Sequence, residues 1–397
     1  MTSVEVKELY GRFVLPTYRQ SPVCLVKGKG SRVWDIHEKE YLDFFPGWGV
    51  SGLGHCHPKV VYAIKNQAGK LLHVPNNFLN LKQAQLAEAL IKKSFPGKVF
   101  FCNSGAEAIE GSIKSARKFG ASTGGRFEII TMDYSFHGRT LAALTATAQT
   151  KVQDGFAPLP EGFRYARFND LDSVKKLVSD KTVAIMLEPV QGEGGIRIAE
   201  RSFLEGLRKI ADERNLLLIF DEIQTGIGRT GKLFAYEHFG VTPDIMALAK
   251  SLGGGVPIGA FILGKKCADA LGPGTHGSTY GGNPLVAAAA LAVLKVIDTE
   301  RLLLKTKEMG AYLLNKLIEL KKSSPLIKEV RGLGLMIGVE LTKPGASVFE
   351  RCLAKGLIIN CTQEKVLRIM PAMIVTKRQI DQAVRILGEA LQEEEAA

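Results

Sequence analysis

The sequence predicts an α/β protein: a large unit with a mostly parallel sheet flanked by helices, and a smaller α+β unit built from both ends of the chain. Three observations lead there. Wholly apolar runs recur at Val183–Leu187, Leu216–Phe220 and Ile245–Ala249, as expected of strands covered on both faces. Stretches with helically spaced apolar residues lie between such runs, the alternation of an α/β sheet. Beyond residue 285 the pattern changes to long helices with short strands. The division expected is residues 1–55 as an N-terminal arm and part of the small unit, 56–285 as the large unit, and 286–397 as the C-terminal small unit.

In chain order, the first fifty residues read as an irregular arm followed by strands. VWDIHEKEYLDF, with a polar turn between two mixed segments, reads as a hairpin. PGWGVSGLGHCHP follows. Its Gly47-x-Gly49-x-x-Gly52 has dinucleotide-binding spacing, but the acidic residue that motif needs further on is missing, so it reads as a tight glycine-rich loop. His55, Cys56 and His57 lack further ligands at metal spacing, and no metal is expected. Lys59–Leu72 and Gln83–Lys92 show helical spacing. KVFFCNSGAEAIEGSIKSARKFG reads as a strand, Val99–Cys102, then a turn and a helix striped by Ile109, Ile113 and Ala116. Ser104, Gly105 and Ala106 fall at that helix N-terminus, where free N–H groups and the positive dipole end hold phosphate. A plain serine cap gives the same pattern.

EIITMDYSFHGR reads as a strand leading to Phe136 and Arg139. An aromatic there can stack on a flat ring, and the arginine fork suits a carboxylate; a packed surface loop is the alternative. Val183–Leu187 ends in EPVQGEGG, which makes Glu188 and Glu193 site candidates, one of them with a structural role instead. Ser202-x-x-Glu205 reads as a capping box opening a helix. Gly226-x-Gly228-x-x-Gly231 repeats the dinucleotide spacing, and with Lys232 resembles a phosphate loop. Leu233 replaces the Ser or Thr that a phosphate loop needs, and DEIQT separates the glycines from their strand, so a nucleotide-binding dehydrogenase or hydrolase is the rival reading. Ile258–Gly264 is a strand, and the HGSTYGGNP loop after it can bring hydroxyls to a phosphate or be plain surface. Helices follow from Leu285 and over Glu300–Leu320, then the short strands GLMIGVEL, GLIIN and VLRIMPAM. Thr376-x-x-Gln379 caps a last helix with Ile380, Val384, Ile386 and Leu387 inside.

Composition narrows the function. The net charge is +12, but the basic residues are spread along the chain with no basic stripe, which argues against nucleic acid and for anionic small molecules. No apolar run has the length of a membrane span, and the start does not read as a signal peptide. The 6 cysteines are scattered without a CxxC pair, as reduced thiols of a cytoplasmic protein would be.

The most informative residues lie between 216 and 255. The run Leu216–Phe220 ends on Asp221 and Glu222, and Ile245–Ala249 ends on Lys250, followed by Ser251, Leu252 and a glycine triplet. Open α/β sheets place their chemistry at such strand ends. Pyridoxal phosphate uses this pair: a lysine amine forms a Schiff base with its aldehyde, and a carboxylate keeps its ring nitrogen protonated. The lysine must be desolvated, or close to positive charge, to act as a neutral amine.

Together NSGAEA, FHGRT, EPVQGEGG, FDEIQTGIGRTG, LAKSLGGG, HGSTYGGNP and LRIMP make the chain resemble the class III (fold type I) pyridoxal-phosphate-dependent aminotransferases, from about Tyr18 to Gln392. The resemblance implies that Lys250 carries the cofactor and shuttles a proton, with Asp221 on the ring nitrogen, Gln224 near the phenolic oxygen and Phe136 stacked on the ring. Gly105 and Ala106 would bind the phosphate, and Thr279 would reach the phosphate of a neighbouring subunit, so the site would need a homodimer. Arg139 and Ser278 would contact substrate, and Arg368 the α-carboxylate, masked by Glu193 for one substrate and released for glutamate. The implied reaction moves the distal amine of N2-acetylornithine to 2-oxoglutarate, a step of arginine biosynthesis; ornithine, 4-aminobutyrate and succinyl-diaminopimelate are the other donors. Two positions depart from the family pattern: Ile109 where Asn is usual, and Trp48 where smaller residues are usual.

Overall fold

Alternate residues of the apolar runs point to opposite faces of one sheet. Leu218 and Phe220 enter one core, Leu217 and Ile219 the other, and all four are fully buried. The computed structural model describes residues 2–397. In chain order its strands are β1 (Leu25–Lys29), β2 (Arg32–Asp35), β3 (Glu40–Asp43), β4 (Gly97–Cys102), β5 (Glu128–Met132), β6 (Phe163–Ala166), β7 (Thr182–Leu187), β8 (Val190–Gln191), β9 (Arg197–Ile198), β10 (Leu217–Asp221), β11 (Ile245–Leu248), β12 (Gly259–Gly264), β13 (Ile327–Leu333), β14 (Met336–Leu341), β15 (Leu357–Ile358), β16 (Asn360–Thr362) and β17 (Val366–Ile369).

The large sheet has 7 strands in the order β4-β12-β11-β10-β7-β5-β6. β12 runs against both its neighbours, and every other pairing is parallel. The strands β4, β5, β7, β10 and β11 therefore all end at one edge, where Ser104, Phe136, Glu188, Asp221 and Lys250 follow or close them. Helices cover both faces: Gly105–Ser122 with Ala108, Ile113 and Ala116 on one, and Arg201–Glu213 with Phe203, Leu204 and Leu207 on the other.

The smaller unit packs the antiparallel sheet β13-β14-β17-β16 against the helices Leu302–Ser323 and Lys377–Glu395. The sheet β1-β2-β3-β15 ties the two ends of the chain together, with Leu42 of β3 paired to Leu357 of β15. Leu42 and Phe44 lie in the core of this unit.

Three expectations are corrected. The N-terminal arm is not irregular: Ser3–Phe13 is a helix with a Thr2–Glu5 capping box, none of whose residues is buried, so no apolar stripe marks it. Ser202 is not a cap, because the helix already starts at Arg201 behind Glu200, which makes no side-chain cap bond. The boundary placed at 285 falls later, since Pro284–Thr299 buries Ala287, Ala290, Val293 and Ile297 in the core of the large sheet.

Candidate active site

The strand ends converge on a cavity of about 470 Å³ lined by Ser104, Gly105, Ala106, Phe136, Asp221 and Lys250 among others. That is the size of a cofactor site. Lys250 follows β11 after Ala249 and opens a single 3-10 turn with φ +46°, a left-handed conformation that a side-chain-bearing residue rarely adopts. Burial, then the Arg368 charge, draws its amine below the ordinary lysine range, against the opposing fields of Glu193, Asp221 and Glu188. Ser251 behind it donates to the Gly49 carbonyl at 2.7 Å. The glycine loop 47–52 thus packs on the lysine turn, and a Cβ on Gly52 would lie 2.5 Å from the Ser251 hydroxyl.

Asp221 closes β10 and is 4% exposed. One carboxylate oxygen accepts the Ile223 N–H at 3.0 Å; the other is 2.8 Å from Nδ1 of His137. Burial opposes charge on His137, but Asp221 and Glu188 outweigh it and raise the imidazole pKa. His137 was not singled out from the sequence. It sits in FHGRT between Phe136 and Arg139, and spacing alone does not tell that its ring reaches across the sheet to Asp221. Glu188 accepts the N–H groups of Phe136 (3.1 Å) and Gly192 (3.1 Å), and burial pushes its carboxyl up to about 7, helped by Asp221.

Ser104 caps the helix Gly105–Ser122 by accepting the Glu107 N–H at 3.2 Å. The first N–H groups of this 18-residue helix have no intrahelical partner, and Gly105 and Ala106 line the cavity. A Cβ at position 105 would come 3.0 Å from Ile223, so glycine keeps the backbone open there. Gln224 donates to the Trp48 carbonyl at 3.2 Å, while its Oε1 and Nε2 of His137 are buried without a protein partner. A lysine, a carboxylate, a helix N-terminus and unsatisfied polar atoms around one cavity fit pyridoxal phosphate.

The substrate candidates divide. Arg139 lines the cavity, exposed, with its guanidinium 5.4 Å from the Phe136 ring centre. Glu193 also lines it and pairs with Arg368 at 2.7 Å. Arg368, on β17, is 1% exposed, donates to Asn360 at 2.7 Å and lies over the Phe45 ring. Ser278 and Thr279 are outside the cavity. The Ser278 hydroxyl bonds Asn103 and the Gly281 N–H, and the Thr279 side is part of an exposed loop. Ile109 is fully buried against the large sheet, and Trp48 is half exposed beside Tyr18. His55 bonds Asp43 at 2.7 Å, and His57 lies 3.6 Å from Glu300.

Known proteins are similar to this chain over nearly its whole length. The family described as aminotransferase class-III matches residues 14–391. An acetylornithine aminotransferase of Methanocaldococcus jannaschii is 52% identical over 97% of this chain and 98% of its own. Among solved structures, the ornithine aminotransferase of Toxoplasma gondii superposes with a TM-score of 0.96 at 33% identity, covering 100% of this chain and 96% of that one. The acetylornithine aminotransferase of Elizabethkingia anophelis gives a TM-score of 0.89 at 33% identity, over 98% and 99%. The chain belongs to the class III aminotransferases and is a pyridoxal-phosphate-dependent transaminase.

Proposed function

We propose that this transaminase moves the distal amino group of N2-acetylornithine to 2-oxoglutarate, giving N-acetylglutamate 5-semialdehyde and glutamate. The Glu193–Arg368 pair carries the reading. Arg368 is a buried cation whose cover is a carboxylate still 28% exposed and flanked by Gly192, Gly194 and Gly195. With Glu193 in place the arginine is neutralised, and the site takes a donor whose carboxylate goes to Arg139. With Glu193 turned away, Arg368 is free for the second carboxylate of a dicarboxylate. One pocket then serves both partners. The acetylornithine aminotransferases that this chain resembles support the donor.

Bound pyridoxal phosphate supplies a carbonyl that carries the amino group and a ring that accepts electron density. The chain does the rest. The Lys250 amine, desolvated and so available unprotonated, would take the proton from the amine-bearing carbon of the donor and, in the second half of the reaction, give one to the α-carbon of the oxo acid. Asp221, held by His137, keeps a proton on the ring nitrogen. Phe136 would pack on the cofactor ring, with Gln224 and Glu188, which line the same cavity, beside it. The Gly105 and Ala106 N–H groups, with Ser104, hold the phosphate.

The assembly proposed is a homodimer with Thr279 and Ser278 of the partner subunit completing the site. Support comes from their position outside the cavity of their own subunit, and from the exposed Leu71, Leu72, Phe78, Leu79 and Tyr280, on two segments that meet where Asn76 donates to the Ser278 carbonyl (2.8 Å) and the His73 and Tyr280 rings lie 5.4 Å apart. No helix among the described residues is long and apolar enough to cross a membrane. The 6 cysteines are unpaired, which supports a reducing, cytoplasmic setting.

Ornithine is the second donor to test, because of the likeness to the Toxoplasma enzyme. The Trp48 and Tyr18 rings (6.2 Å apart) do not choose between the two, since aromatic faces accept an acyl group and, by cation–π attraction, an ammonium alike. Rates on N-acetylornithine, ornithine, 4-aminobutyrate and succinyl-diaminopimelate decide. The highest kcat/KM is expected for N-acetylornithine; a higher value for ornithine would replace the proposal.

A further inference from the structure

Gly226-x-Gly228-x-x-Gly231 is the motif the cofactor site leaves unused. Within it, Arg229 is among the largest fully buried side chains, at 1% exposure. No carboxylate is hydrogen-bonded to or paired with it among the described residues. Its Nη1 instead donates to three carbonyls of the smaller unit: Leu335 at 3.2 Å, Met370 at 3.3 Å, and Pro371. Its own carbonyl accepts the Leu335 N–H at 3.1 Å. Burial lowers the guanidinium to about 10, which leaves it charged at neutral pH.

The three carbonyls are not scattered. Leu335 leads into β14, and Met370 and Pro371 directly follow β17, the strand that carries Arg368. The same segment is tied at two further points, by the Met370 N–H to Phe44 (2.7 Å) and the Met373 N–H to Gly52 (2.8 Å). Backbones meet at the joint without side chains between them: a Cβ on Gly334 would overlap the Thr230 backbone, and one on Gly310 would overlap Gly334. The other end of the loop starts at Asp221. Residues 221–229 therefore run from the cofactor's acid to the anchor of the strand that bears Arg368.

We propose that Arg229 is a positioning residue that sets Arg368 at its working distance from Lys250, so that the carboxylate site is spaced from the reacting centre by a buried cation bound to main-chain oxygens. This rests on Arg368 as the carboxylate site. A cation gathers several carbonyls from separate segments at one point, which no apolar side chain can do, and once unpartnered those buried carbonyls would favour a shifted strand. The effect belongs to substrate binding and leaves the cofactor's own contacts in place.

The test is binding of glutarate, a dicarboxylate that cannot react, to the holoenzyme by calorimetry. Arg229→Gln is compared with Arg229→Lys, Arg368→Ala and the double variant Arg229→Lys/Arg368→Ala. Lysine is one bond shorter, so its nitrogen falls about 1.3 Å short of the carbonyls. Expected are a glutarate Kd raised about tenfold by Arg229→Gln and several-fold by Arg229→Lys, with the cofactor absorption band and the rate with a carboxylate-free alkylamine unchanged. In the Arg368→Ala background the Arg229→Lys change should add nothing. Wild-type glutarate binding in either folded Arg229 variant, or an independent additive effect in the double variant, overturns the proposal. If Arg229→Gln does not fold, Arg229→Lys decides alone. If Arg368→Ala itself leaves glutarate binding intact, the carboxylate assignment has failed, a different result from the failure of Arg229.

Discussion

Lys250 combines a left-handed backbone with a half-buried side chain whose desolvated amine is drawn below the ordinary lysine range, two features that local sequence does not favour and that tertiary structure imposes. Its amine makes the proton transfer, so Lys250→Ala is expected to lower turnover at least about a thousandfold, more than a positioning residue would. Single-turnover rates with saturating cofactor check this. Because the amine is drawn below the ordinary lysine range, activity should rise with pH through that lowered value and be on its plateau before free lysine deprotonates. His137→Gln should reduce kcat about ten- to a hundredfold with KM nearly unchanged, because it removes the charge that holds Asp221 while leaving the substrate groups in place; steady-state kinetics on both substrates check the split. Asp221, Lys250 and Ser104 were legible in the sequence because each follows a fully apolar strand, and strand ends are where such sheets work. His137 and Asn360 were not. Their partners, Asp221 and Arg368, lie on other strands, and nothing in local spacing announces a contact between residues 84 positions apart in the one case.

At the scale of the element, the loop after β10 is held by Glu222. This fully buried carboxylate accepts the N–H groups of Ala235 (2.6 Å) and Tyr236 (2.8 Å) and the Thr225 hydroxyl (3.2 Å). Burial raises it to about 7. A carboxyl raised on folding contributes stability that is complete below its unfolded value, near 4.5, and is lost as pH rises through about 7. Glu188 acts in the same direction. The Glu222 share is roughly 3 kcal/mol, so Glu222→Gln should flatten the fall in urea midpoint between pH 5 and 8, by comparison of holoenzyme unfolding curves. An unchanged slope would remove Glu222 from this role. In β10, Phe220→Ala should cost about 3–5 kcal/mol, read as a lowered melting temperature, because it empties a site with no solvent access. The central strands β7, β10 and β11 were legible for the same reason that this substitution is costly: both faces are dry, so the sequence is apolar almost without interruption, whereas the edge strand β6, FRYA, is half exposed and was not legible. The helix Ser3–Phe13 was illegible because it buries nothing, and only its capping pair betrays it. The glycines at 226–231 have nucleotide-binding spacing, yet serve a joint where two backbones touch, and a spacing motif cannot tell those uses apart.

At the scale of the whole molecule, the chain ends are stitched into one small unit by β3 and β15 and set against the large sheet, with the cavity at the edge where all its strands but β12 end. The long helix Pro284–Thr299, expected in the small unit, packs in the core of the large sheet, since an Ala/Leu-rich helix reads alike in either core. A shared site makes a further prediction. Lys250→Ala and Thr279→Ala homodimers should each be weakly active, whereas dissociating, mixing and reassociating them should restore up to about a quarter of the wild-type rate, because a mixed dimer puts both defects in one site and leaves the other intact. No recovery in confirmed mixed dimers would show that each subunit works alone. Whether Lys250 and Asp221 build a transaminase for N-acetylornithine is read from the absorption spectrum of the holoenzyme during sequential additions. The predicted result is a visible cofactor band that is lost on adding N-acetylornithine and returns on adding 2-oxoglutarate. A band that ignores N-acetylornithine while responding to another amine would contradict the donor, and a protein that takes up no pyridoxal phosphate would contradict the transaminase chemistry itself.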